Sequence, residues 1–181
     1  MTLIRPARVT DAAGIAAVHV AAWRSAYPGI LPDTYLARLS ATRQARYYEA
    51  AIATGTSVMV AAPQSGGPRL VGFATAGSAR PRPGLRSLGD GEIETLYVLD
   101  DWRDQGIGRR LLRAAATDLA ARGCRSAYLW VLRDNPSRFF YQHLGGQAAA
   151  FGATRVAGQE VPQVAFAWDP IEKLLTPEPT K

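Results

Sequence analysis

A chain of 181 residues that is 48% hydrophobic and 20% charged lies in the range of a single globular domain, outside that of disordered or membrane proteins. Its net charge of +6 comes from nineteen Arg and two Lys against 15 acidic residues and points toward an acidic partner, but the basic residues are scattered, which speaks against specific nucleic-acid binding. A lone cysteine, Cys124, rules out an intrachain disulfide, and no His/Cys cluster has metal-ligand spacing, so no metal is expected.

The opening MTLIRPARVTDAAG lacks the apolar run of a signal peptide, and no stretch approaches the roughly 18 apolar residues of a membrane span. A cytoplasmic location without membrane contact is the default expectation. Leu3 to Arg5 reads as a short strand, and Thr10 as the N-cap of an alanine-rich helix carrying Ile15, Val18 and Ala22 on one stripe. Tyr27-Pro28-Gly29 breaks it; short helices are expected over 32–39 and 42–53, with Gly55 ending the latter. Strands over 57–62 and 70–76 flank the turn segment PQSGGP, and residues 77–91 form a loop rich in Pro, Gly and Arg.

A strand over 91–99, a helix over 106–122 and a strand over 127–132 then follow in order, the pattern of a crossover joining two parallel strands. After them come a helix over about 136–144, a Gly-Gly turn, and two strands over 147–155 and 161–168 joined as a hairpin. Residues 1–172 read as one domain, with 173–181 as a frayed tail.

The segment WRDQGIGRR, residues 102–110, places Gly106 and Gly108 where the crossover helix begins, although glycine inside a helix costs about 1 kcal/mol relative to alanine. A tight turn is one explanation. The other is close approach of a phosphate, since a helix start presents unpaired N–H groups and the positive end of its dipole. Arg103, Arg109 and Arg110 can add charge-assisted bonds. Neither GxxxxGK[ST] nor GxGxxG is present.

Arg103-Asp104-Gln105-Gly106-Ile107-Gly108 resembles the acetyl-CoA signature Arg/Gln-x-x-Gly-x-Gly/Ala of the GCN5-related N-acetyltransferase (GNAT) family. EIETLYVLDDW is similar to that family's fourth strand, NPSRFFYQHLGG to its later Asn-containing helix, and IRPARVTDAAGIAAVHVAAW to its first strand and helix. The resemblance implies an α/β fold with a mixed central sheet of six or seven strands flanked by helices. It also implies a cofactor-side site: acetyl-CoA as cosubstrate, its diphosphate against the backbone of Arg103 to Arg109, and its pantetheine arm paired like an added strand along Leu96, Tyr97 and Val98. Asn135 caps the later helix and by resemblance lies near the pantetheine, as does Arg138, although Asn135 precedes Tyr141 by one residue fewer than in many family members.

Transfer to an amine requires a base, because an amine of pKa near 10.4 is protonated at neutral pH, and an acid for the departing thiolate. Glu92 and Glu94 share the parity of Leu96 and Val98, so one strand face is expected to carry all four. Glu92, eleven residues before Arg103, is the favoured base with Glu94 as its neighbour or substitute, and Tyr141 matches the family's acid. For each glutamate a solvated strand end is the alternative, and for Tyr141 core packing.

The acceptor side is expected to involve Trp23 and Tyr27, with Asp33, Glu92, Glu94 and Asp169 as candidate acidic groups for a cationic acceptor. The acceptor is a primary amine of a small molecule or a protein. A catalytically silent acyl-CoA-binding module is the second reading. VPQVAFAW offers a homodimer edge, or equally a hairpin buried within one subunit.

Overall fold

The computed structural model describes residues 1–64, 69–81 and 87–176. The strands are β1 (Thr2–Pro6), β2 (Ser57–Pro63), β3 (Gly72–Ser78), β4 (Gly91–Val98), β5 (Ala127–Leu132), β6 (Gln147–Val156) and β7 (Gln159–Trp168). The helices are α1 (Ala12–Ala26), α2 (Asp33–Ala37), α3 (Ala41–Ala53), α4 (Ile107–Ala121), α5 (Arg138–His143) and α6 (Glu172–Leu175). The strands form one mixed sheet in the order β1-β2-β3-β4-β5-β7-β6, antiparallel throughout except for the β4/β5 pair, which α4 connects.

The helices cover both faces because each carries an apolar stripe of helical period. On one face α4 buries Ile107, Leu111, Leu112, Ala115, Ala116 and Leu119 against Ala74, Ile93 and Leu129. On the other, Ile15 and Val18 of α1 and Tyr48 of α3 pack on Val60 and Phe73. A third cluster, Tyr27, Leu31, Leu36 and Val161, ties the α1–α2 segment to the β6/β7 hairpin.

Several local details differ from the sequence reading. Thr10 is not the N-cap: residues 9–11 form a 3-10 turn, and the Asp11 carboxylate accepts from the Arg8 N–H at 2.7 Å while pairing with Arg5 at 2.7 Å. Strand β3 begins at Gly72 rather than at residue 70, although the Val71 N–H already bonds to Ala61 O. Part of the segment expected to be frayed is the helical turn α6, anchored by buried Leu174. The PQSGGP turn beyond Gln64, loop residues 82–86 and tail residues 177–181 lie outside the described residues.

The largest difference is in β4. Thr75 pairs with Thr95 but Ala76 pairs with Ile93, so Glu94 is the extra residue of a β-bulge. An inserted residue reverses side-chain parity. Ile93, Leu96 and Val98 therefore join the α4-side cluster, while Tyr97 joins the α1-side cluster. Glu92, paired with Gly77, lies on the face opposite Leu96 and Val98, which corrects the expectation that all four share one face.

Candidate active site

The parallel pairing of β4 and β5 stops after two positions, Gly91 with Ala127 and Glu92 with Tyr128. Beyond the bulge the strands diverge. Because the Leu99 N–H bonds to Val71 O on the β3 side, the residues of opposite parity, Leu96 and Val98, turn their main-chain groups into the gap. A cleft of about 520 Å³ fills this gap. It runs from Arg103, Asp104, Gly106, Ile107, Gly108 and Arg109 at the start of α4, past Leu96, Tyr97 and Val98, to Glu92, Glu94, Trp23 and Tyr27, with Asn135 and Tyr141 in its wall.

Local geometry explains the signature turn. Gly106 has φ +70°, a left-handed conformation that glycine adopts without strain, and Asp104 before it has φ +58°. The chain reverses there and enters α4, whose first intrahelical bond from this turn is Arg110 N–H to Gly106 O at 3.1 Å. The N–H groups of Ile107 and Gly108 precede that bond and lie at the cleft, at the positive end of the dipole. Among the described residues, and apart from its two chain neighbours, nothing lies within 4 Å of a Cβ built on Gly106.

The charged side chains divide unequally. Arg109 lines the cleft, and Arg103 lies at its rim, paired with Asp100 at 2.7 Å. Arg110 instead reaches across to Thr2 O at 2.7 Å. Gln105 and Arg138 are not part of the cleft wall: the Gln105 amide donates to Asp101 O, and the Arg138 guanidinium donates to Arg133 O at 2.7 Å and covers the Phe139 ring. Asn135 is buried, its Oδ1 accepting from the Ser137 N–H at 2.9 Å just ahead of α5.

Glu92 is 1% exposed. Arg80 grips it with Nε to Oε2 at 2.9 Å and Nη2 to Oε1 at 2.7 Å, and the Tyr128 hydroxyl donates to Oε2 at 3.0 Å. Burial pushes the Glu92 carboxyl up, but the bonds and charge of Arg80, helped by Tyr128, outweigh it and leave the group below the ordinary glutamate value. Glu94 is half-buried at the bulge, 3.9 Å from Arg80 Nε. Tyr141 is buried against Phe140, Phe166 and Trp168, and burial, with Tyr27 nearby, raises its phenol above the ordinary value. Tyr27 is buried as well, its phenol raised by burial and touched by the Tyr97 and Asn135 side chains.

Asp33 and Asp169 are exposed and lie outside the cleft, so the acidic acceptor pocket built from four carboxylates is not assembled. Sequence reasoning missed Arg80, which comes from a loop with no periodic signal, and Leu129 to Leu132, the opposing strand wall. It missed Trp102 and Gln163 too; only the crossover pattern, by predicting a facing β5, could have found any of these.

No helix among the described residues is long and apolar enough to cross a membrane, and no group of three or more His, Cys, Asp or Glu among them is placed to hold a metal ion. Residues 20–146 match the model of the Acetyltransferase (GNAT) family. An uncharacterized N-acetyltransferase of Bacillus subtilis, YuaI, is 32% identical over 97% of this chain and 98% of its own length. Among solved structures, an N-acetyltransferase of Staphylococcus aureus superposes with a TM-score of 0.70 at 20% identity, covering 93% of this chain and 98% of that one. An acetyltransferase of Salmonella typhimurium, solved with its cofactor acetyl-CoA, has a TM-score of 0.65 at 19% identity and covers 93% of each chain. Family profile, full-length relative and fold agree with the bulged, splayed strand and the glycine turn: this chain belongs to the GNAT acetyltransferase family.

Proposed function

We propose that this protein transfers the acetyl group of acetyl-CoA to a primary amine by direct attack within a ternary complex. The observation that carries this reading is that one continuous cleft is lined by the start of α4, the unpaired edge of Leu96 and Val98, Glu94 and Tyr141. The residues fit the cosubstrate: N–H groups of Ile107 and Gly108 with Arg109 suit its diphosphate, and the β4 edge suits its amide-bearing arm. When bound, acetyl-CoA supplies the acyl carbon, to which the amine nitrogen bonds as the C–S bond breaks, giving an amide and a thiol.

Glu94 serves as the base, taking the amine proton directly or through one water. Glu92 is a positioning residue, because its lone pairs are engaged by Arg80 and Tyr128 and its lowered pKa makes it a poor proton acceptor. Tyr141 stays protonated at neutral pH, since burial raises its phenol, and donates to the departing sulfur before regaining a proton from solvent. The net change converts an ammonium and a thioester into an amide, a thiol and one released proton.

CoA release followed by thiol detection tests this reading, with Glu94→Gln and Tyr141→Phe beside the native protein and acetyl-CoA binding measured by calorimetry. Each substitution is expected to lower kcat by about 10²–10⁴-fold while leaving acetyl-CoA affinity nearly unchanged. Binding without release for every amine would instead identify a silent acyl-CoA-binding module. Turnover unaffected by both substitutions would remove the assigned acid and base.

A further inference from the structure

The charges along the cleft are segregated. Arg103 and Arg109 stand at the α4 end with Asp104, while the far end holds Arg80, Glu92 and Glu94. There, Arg80 is held by Glu92 through two bonds and stands 3.9 Å from Glu94, so among the described residues these three side chains together carry one net negative charge, on the Glu94 side. Asp33 and Asp169, the other carboxylates that sequence reading had placed here, are exposed elsewhere. Among the described residues only Asp104, at the α4 end, adds another carboxylate to the cleft wall, so a second or third ammonium beside Glu94 would be desolvated without such a partner, at substantial cost.

The acceptor-side wall of the same cleft is otherwise aromatic and aliphatic. Trp23 lines it with its ring backed by buried His19, stacked at 5.1 Å, and meets Tyr27 edge-on at 5.0 Å, beside the Tyr97 side chain. Ala22 and Ala26 on the same helix face are small, which leaves room beside the two rings, and Leu31 closes the wall. Rings of this kind attract both an apolar body and a cation held over their faces. His19 adds no charge, because burial lowers its pKa to about 4.

Resting on the acetyl-transfer reading, we infer that the acceptor is a monoamine with an apolar or aromatic body, its one ammonium meeting Glu94 and its body lying along Trp23 and Tyr27. Polyamines, aminoglycosides and lysine side chains flanked by other charges fit this end poorly.

The test is an acceptor series followed by CoA release: 2-phenylethylamine, ethylamine, spermidine, kanamycin and a lysine-containing basic peptide, with native protein, Trp23→Ala and Trp23→Phe. For native protein, kcat/KM for 2-phenylethylamine should exceed that for every other acceptor by about tenfold or more. Trp23→Ala should erase most of the advantage over ethylamine through KM, and Trp23→Phe should keep most of it. Acetyl-CoA affinity, measured by calorimetry, reports whether each variant is folded, and the native series decides the question even if Trp23→Ala is not. Preference for spermidine, kanamycin or the peptide overturns the inference while leaving acetyl transfer intact, as does an unchanged 2-phenylethylamine to ethylamine ratio in a folded Trp23→Ala. No release with any amine, despite acetyl-CoA binding, overturns the transfer reading itself.

Discussion

His19 shows what burial does to a single residue. Its Nδ1 lies 2.8 Å from the Tyr48 hydroxyl, its ring stacks on Trp23 and Phe73, and burial lowers its pKa to about 4. In the unfolded chain a histidine titrates near 6.5, so as pH falls the unfolded state takes up the proton first. The neutral histidine's full contribution is therefore present above pH 6.5 and is lost progressively down to about pH 4. Between pH 7 and pH 5 the native protein should lose about 2 kcal/mol of unfolding free energy by this route. Urea titrations at the two pH values check this, and His19→Gln should lose much less over the same interval. The lowered carboxyls of Asp11 and Glu92 act at more acidic pH, below their ordinary values. The burial that causes the shift comes from groups distant in the chain, Tyr48, twenty-nine residues away, and Phe73. The two glutamates make the same point. Nothing within EIET separates Glu92 from Glu94; Arg80 does, by engaging one and only brushing the other.

The entry into α4 separates two glycines that look alike in WRDQGIGRR. Gly106 needs its left-handed φ of +70°, whereas Gly108 lies inside the helix, where an added Cβ would sit 3.4 Å from Phe140 Cζ. Gly106→Ala should therefore cost about 1–2 kcal/mol of stability from backbone strain alone, since open space surrounds its Cβ position. It should also weaken acetyl-CoA binding by disturbing the turn. Gly108→Ala, with no left-handed φ to satisfy, should leave stability within about 1 kcal/mol of native. Chemical denaturation of both variants, with calorimetric titration of acetyl-CoA, distinguishes them; equal losses would show that the turn geometry is not what demands Gly106. At this scale most helices and strands were legible, because apolar periodicity and Gly or Pro punctuation are local properties. The bulge at Glu94 was not. Its signal is a register shift against β3, and register is a relation between two strands.

Across the whole molecule, the cleft is the space left when β4 and β5 part, and a ligand that fills it bridges α4, β4, β5 and α1. Anything that binds only the folded chain stabilises it by mass action. Acetyl-CoA at a hundred times its Kd should thus add about 2.7 kcal/mol and raise Tm by about 5–10 °C for a protein of this size. A thermal melt with and without acetyl-CoA measures this, and an unchanged Tm at saturating concentration would count against the cosubstrate. The amino-acid sequence by itself determined the order of elements, the parallel crossover and the glycine turn that starts α4, since each is written in residues a few positions apart. Only the tertiary structure decided which glutamate is tied to Arg80, which arginines reach the cleft, and that Glu92 lies across the sheet from Leu96 and Val98. Those outcomes depend on strand register and on side chains brought together from distant positions, and such distances close only when the sheet has formed.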